Sequence, residues 1–329
     1  MTDHPELICA YMLDGKGGGA EVDWQAVEAW TPDRGPIWIH LDCTNPATET
    51  WLRRDSGLDT FVVDGLLAGE TRPRCDGFAD GIMVILRGVN LNPGAEPEDM
   101  VSLRIWVEEH RVISTRLRRL QAIQDLRDHL AEGRGPVSPA HLVARVAAGL
   151  TERMGPAIEE LGDLVADLEE QLLAGDEATP NLREVRFKLV DLRRVAITLR
   201  RYIAPQRDAV NRLLTLNEPW LKERVRGRLR ETVDRVTRII EELDEVRERS
   251  AVVQDELLSR QSQRMERVMY ILTLVATVMM PLGFITGLLG INVGGIPGAE
   301  NHWSFLIVCG GLALFAAVEI WLFKKMRWL

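Results

Sequence analysis

The chain has 329 residues, with 49 Asp or Glu against 40 Lys or Arg and a formal net charge of −9. That balance argues against a nucleic-acid partner, which shows itself as a basic face. Four scattered cysteines (Cys9, Cys43, Cys75, Cys309) lack CxxC spacing, so they signal neither a zinc knuckle nor a disulfide framework. The N-terminal MTDHPELICAYML has no basic segment ahead of a long apolar one and does not read as a signal peptide.

Residues 1–137 read as a cytosolic α/β domain. Leu7–Leu13, Ile37–Asp42, Gly81–Asn90, Val101–Glu108 and Arg111–Thr115 are short runs rich in β-branched residues and bounded by Gly, Pro or Asn, the marks of strands. Val101–Thr115 predicts a hairpin turning near Glu109-His110. Asp23–Trp30, Thr48–Asp55 and Thr60–Leu67 have helical spacing, while Gly15–Gly19 and Asn92–Asp99 read as loops. For the charged run Glu70-Thr71-Arg72-Pro73-Arg74, phosphate binding or a subunit contact is set against a solvated loop with local ion pairs, and the loop is favoured because no glycine-rich phosphate cradle adjoins it.

Residues 138–216 turn helical. Leu150, Met154, Ile158, Leu161, Val165, Leu168 and Leu172 fall three or four apart and predict one face of a single helix. Gly175 to Asn181 interrupts it, with Pro180 forbidding continuation. Leu182, Val185, Leu189, Leu192, Leu199 and Ile203 build a second helix, and the two predict an antiparallel hairpin.

Asn217-Glu218-Pro219 is a helix-start signal. Only Gly227 breaks the run of helix formers before Met280, so a stalk helix is expected over 217–267, continuous into the segment that follows. From Pro219 to Leu289 it would be about 105 Å long. Leu229, Val233, Val236, Ile240, Leu243, Val246, Val253 and Leu257 form a seam for a neighbouring helix. A helix of that length needs partners, and copies of the same chain supply them. Its acids Glu231 and Asp255 are candidate cation positions, set against the commoner reading of an ion-paired, solvated face.

Residues 268–290 form the first of two apolar spans. From Met269 to Leu289 there is no charged residue, and at helical rise the run is about 32 Å long, enough to cross a hydrocarbon core. A loop (291–302), a second span (303–323) and a basic tail (324–329) follow. Arg260, Arg264 and Arg267 precede the first span and Lys324, Lys325 and Arg327 follow the second, whereas the loop has no Lys or Arg. The positive-inside rule then puts both termini in the cytoplasm and the loop outside. Glu319, in the second span, is expected at the interface near Lys324 and Lys325.

The end of the first span reads Gly290-Ile291-Asn292 and continues Val293-Gly294-Gly295-Ile296-Pro297-Gly298. This resembles the CorA superfamily of divalent-cation transporters, whose first span ends Gly-Met-Asn, with Ile291 standing where the superfamily has Met. The continuation is similar to the ZntB branch of zinc transporters. The resemblance implies a cytosolic α/β/α sandwich, a helical stalk and two C-terminal spans, assembled as a funnel-shaped homopentamer in a bacterial inner membrane. It implies five first spans lining a pore and five second spans facing lipid. The cargo it implies is Zn²⁺, with Mg²⁺, Co²⁺, Ni²⁺ and Cd²⁺ as further candidates, and no tightly bound cofactor. It raises proton coupling and leaves uptake and export both open.

The face of the first span that would line such an axis carries Met269, Leu272 or Thr273, Ala276, Met280, Gly283 and Gly287. It is mostly apolar, so it would pass a largely hydrated ion, with Asn292 as a ring of neutral oxygens at the outer mouth. Glu266, on the same face, marks the cytosolic mouth; pairing with Arg267 or with a neighbour's Arg264 is the competing reading. Glu300 and His302 in the loop are zinc-compatible but lack two further ligands. A CorA-type magnesium or cobalt channel is the first rival reading. The second is a membrane-tethered sensor or scaffold without a conducting path. No nucleophile–base pair, HExxH or P-loop is present, so neither an enzyme nor an ATP-driven pump is expected.

Overall fold

The computed structural model describes residue 4 and residues 6–173, 182–291, 298 and 301–325. It divides into two compact units, with the boundary between Gln254 and Asp255.

The first unit is built on a seven-stranded sheet: β1 (Leu7–Leu13), β2 (Gly19–Glu21), β3 (Ile37–Asp42), β4 (Arg74–Gly77), β5 (Ile82–Gly88), β6 (Val101–Val107) and β7 (Arg111–Arg116). The strands lie in the order β2-β1-β3-β7-β6-β5-β4. Only β3 and β7 pair in parallel; the other neighbours are antiparallel. Because successive strand residues point to opposite faces, β3 sends Ile37, Ile39 and Leu41 into one apolar layer and Trp38 into the other. Each face therefore needs a cover, and helices provide both.

On one face lie α1 (Trp24–Glu28), α2 (Pro46–Arg54) and α3 (Thr60–Leu67), contributing Trp24, Trp51, Leu52, Val63 and Leu66. Each starts at an Asx cap: Asp23 accepts from Ala26 N, Asn45 from Ala47 N and Asp59 from Phe61 N, at 2.8–2.9 Å. The other face is covered by α4 (Gln121–Ala131), α5 (Pro139–Glu152), the end of α7 (Leu182–Thr215) and the start of α8 (Glu223–Leu289). The unit is a three-layer α/β/α sandwich. Strand and helix approach closely at Gly88 on β5, where an added Cβ would stand 2.7 Å from Leu150 Cδ2 of α5.

Several elements differ from the sequence reading. The Gly15–Gly19 loop is a tight turn: the Asp14 carboxylate accepts from the N–H groups of Lys16, Gly17 and Gly18 at 2.7–2.9 Å, and the chain returns directly into β2. The charged run at 70–74 leads into edge strand β4, which pairs with β5. Helix α4, between β7 and the helical region, was not anticipated. The helix expected through Leu150 and Leu172 is two helices, because α5 stops at Glu152 and α6 (Gly155–Leu173) begins after a turn. Pro156 is the reason, since it has no N–H to bond the Glu152 carbonyl. Helix α8 starts at Glu223 rather than Pro219 and then runs unbroken to Leu289, through Pro281.

The second unit holds the rest of α8 and α9 (Ser304–Lys325). Both are long and apolar enough to cross a membrane. Pro281 cannot bond to the Thr277 carbonyl, and threonine hydroxyls on either side turn back onto the helix backbone: Thr273 to Met269 O and Thr277 to Thr273 O at 2.8 Å, and Thr286 to Leu282 O at 2.9 Å. Large apolar side chains stand bare along both helices, with Met280 at 74% exposure and Phe305 at 76%. Such a surface is untenable in water and calls for lipid or further protein.

Candidate cation pathway

Met269, Thr273, Ala276, Met280, Gly283 and Gly287 recur every three or four residues along one face of α8, and all are exposed. Leu272 flanks that stripe at 68% exposure. The half-covered positions of the same span are Leu274, Val278, Pro281, Leu282 and Ile285, which a 100° step per residue places on the side away from the stripe. The chain's own fold thus leaves bare the face that the sequence singles out. Added Cβ atoms at Gly283 and Gly287 would meet nothing within 4 Å, so these glycines leave room for a neighbouring surface.

Glu266 is exposed on the same helix and forms no ion pair with Arg264 or Arg267 among the described residues. Gly290 closes α8, its N–H reaching Thr286 O at 3.0 Å, and Ile291 follows at 48% exposure. Asn292 and Glu300 lie outside the described residues, and His302 is exposed. Among the described residues no three His, Cys, Asp or Glu are grouped to hold a metal ion.

The acids of α8 divide. Glu231 pairs with Arg235 at 3.2 Å, and Arg235 also holds Glu152 at 2.8 Å. Asp255 is exposed with no ion pair among the described residues. In the second span, one carboxylate oxygen of Glu319 is shielded without a hydrogen-bond partner. Near it, Lys325 Nζ lies 5.0 Å from the centre of the Trp321 ring.

In the first unit the charged run at 70–74 is tied down from behind. Arg87 Nε and Nη2 both donate to Thr71 O, at 3.0 and 2.7 Å, while Arg104, fully buried on β6, donates to Ala68 O and Gly69 O. This explains why so polar a segment keeps Thr71 buried. Sequence reasoning also missed the grouping of Arg116, Arg119 and Arg127 around the start of α4, which a strand end, a connection and a helix bring together.

The CorA-like Mg²⁺ transporter protein family matches residues 33–325, through both apolar helices. The chain is 42% identical over 333 residues to the divalent cation transporter CmaX of Pseudomonas aeruginosa, covering 99% of this chain and 98% of that one. It is 37% identical over 324 residues to the zinc transport protein ZntB of Yersinia pseudotuberculosis, covering 98% and 96%. A solved full-length CmaX structure superposes with a TM-score of 0.85 at 41% identity, covering 99% of both chains. By sequence along nearly its whole length and by fold, the chain belongs to the CorA-like family of Mg²⁺ transporter proteins.

Proposed function

We propose that this chain transports divalent cations, zinc among them, across a bacterial inner membrane as a homopentamer. The observation that carries the reading is the family match running from the sandwich domain through both apolar helices. The family is one of transporters rather than enzymes. Zinc is favoured over magnesium by the 37% identity to a zinc transport protein and by Ile291 in place of the superfamily's Met.

In this reading the bare stripe of α8 lines the axis. One hairpin encloses no path, because two helices have no interior; several copies around an axis do. A stripe of Met, Leu, Ala and Gly offers no ligands to strip water from a divalent cation, so the ion passes largely hydrated. Met269, Leu272 and Met280 narrow the path and gate it by excluding water. Asn292 forms the outer ring of neutral oxygens with Gly290 and Ile291 shaping its turn, and Glu266 forms a carboxylate ring at the cytoplasmic mouth. That it forms no ion pair among the described residues supports that role. Glu231, already held by Arg235, is a poor ligand; Asp255 and His302 are exposed and free to meet an ion or a neighbour.

The test is flux into liposomes carrying the purified protein, compared for Zn²⁺, Mg²⁺ and Co²⁺ with and without a pH gradient. Zinc flux is expected. Flux of magnesium and cobalt but not zinc would transfer the chain to the magnesium or cobalt channel reading. No flux of any ion would leave a membrane-tethered scaffold.

A further inference from the structure

Three arginines converge on a cavity of about 260 Å³ in the first unit, at the start of α4. Arg116 comes from the end of β7, Arg119 from the connection, and Arg127 with Gln124 from α4 itself; Ile8 and Ile123 complete the walls. Among the described residues no carboxylate lines it. Arg127 is braced from outside, its Nε donating to Tyr11 Oη at 3.3 Å and its Nη2 to Glu21 at 3.2 Å. The guanidinium groups of Arg116 and Arg119 make no hydrogen bond or ion pair among the described residues. A second, larger cavity of about 740 Å³ differs in kind, since Glu70, Glu98 and Asp99 stand among its four arginines and offset most of their charge.

The charge in the smaller cavity is felt around it. Burial lowers Arg116 below the ordinary arginine value; the pull of Asp42 and then of Cys9 opposes it, and smaller repulsions from Arg119 and Arg127 add to it. Burial and the Arg116 guanidinium also push His40, on the same face of the sheet, down to about 3. Like charges gathered in a partly desolvated recess repel unless a counter-charge joins them. The adjoining helix end adds donors: Leu120 at the N-cap of α4 offers no side-chain acceptor to the first-turn N–H groups.

We propose that this cavity binds a small phosphoryl anion, free or as the head of a larger molecule. Guanidinium forks match the oxygens of a tetrahedral oxyanion two at a time, and an uncapped helix start suits the same charge. A phosphoryl group presents three terminal oxygens and up to two negative charges to three arginines and the Gln124 amide. A carboxylate brings only two oxygens and one charge. The volume leaves room for a short organic substituent beside the phosphoryl group.

The experiment is titration calorimetry on the full-length protein in detergent, with chelator present and ionic strength constant. The probes are inorganic phosphate, glycerol 3-phosphate and dihexanoyl phosphatidic acid, with acetate as control. At least one phosphate compound is expected to bind once per chain and at least tenfold more tightly than acetate. The tightest of the three identifies the source as free anion, phosphomonoester or lipid headgroup. Arg116→Gln and Arg119→Gln should each weaken it at least tenfold. Arg119 is exposed, so its variant should keep the wild-type melting temperature and decides the matter if Arg116→Gln fails to fold. Wild-type affinity in Arg119→Gln, equal binding of acetate, or no binding of any phosphate compound at millimolar concentration would overturn the proposal.

Discussion

Arg104→Met tests whether a buried charge or mere filling holds the connection between α3 and β4. Arg104 has 0% exposure and donates through Nη2 to Ala68 O and to Gly69 O, the latter at 3.0 Å, while Nη1 lies 3.8 Å from Cys43 Sγ. Methionine fills much of the same space but donates nothing, so two carbonyls lose their partner. Charge-assisted hydrogen bonds contribute about 1.5–3 kcal/mol each. Removing the guanidinium also removes its burial cost, which already draws its pKa below the ordinary arginine value, so the net loss is set at about 3 kcal/mol. For a unit of this size that corresponds to a fall in melting temperature of roughly 6–12 °C. Arg104→Lys should do no better, because a single ammonium keeps the burial cost and loses the planar fork. The assay is thermal unfolding of the purified protein, with amide hydrogen exchange followed over residues 66–74. A melting point within 2 °C of wild type and unchanged exchange in Arg104→Met would refute the reasoning, showing that packing alone holds the segment.

Three further outcomes are expected. Asn292→Ala should abolish zinc flux while leaving the oligomer intact by light scattering; undiminished uptake would remove that side chain from the pathway. Glu266→Gln should slow transport at low salt and change its ionic-strength dependence, and identical rates at every ionic strength would count against a carboxylate ring. Stability should fall as pH drops below about 6.5, because His40 is held neutral down to about 3 in the fold and takes a proton when unfolded. With more protons bound by the unfolded chain, unfolding gains about 2 kcal/mol from His40 alone at pH 5. His40→Gln should flatten the melting curve against pH between 7 and 5, and an unchanged slope would exonerate His40.

The membrane hairpin was the most legible part of the chain. Twenty or so apolar residues flanked by arginines and lysines leave a helix no other environment, so α8 and α9 needed no tertiary information. The strands with apolar residues on both faces were equally plain: Ile37 to Leu41 can sit only in the middle of a covered sheet. What escaped were elements whose identity is conferred by a partner. Gly19–Glu21 has no strand character of its own and becomes β2 because the Asp14 turn lays it beside β1. Arg74–Gly77 is an edge strand only through β5. Helix α4 did carry a signal, with Ile123, Leu126 and Leu130 at helical spacing, all buried in the fold.

The candidate pathway shows the same division. Helical spacing groups Met269, Thr273, Ala276, Met280, Gly283 and Gly287 on one face, because it is a local property, but taking that face as the pathway rested on the resemblance carried by Gly290-Ile291-Asn292. Periodicity could not say that the opposite side of that span would be the half-covered one, since cover comes from what packs against a helix. The grouping of Arg116, Arg119 and Arg127 likewise had to wait for the fold. A strand end, a connection and a helix face meet there only because β7 runs into α4 above β1 and β3. Composition and spacing determine which segments must leave water and which of their residues share a face. Which charges end up side by side, far apart in sequence or not, is decided by how the layers stack, because long-range Coulomb terms have no signature in a local pattern.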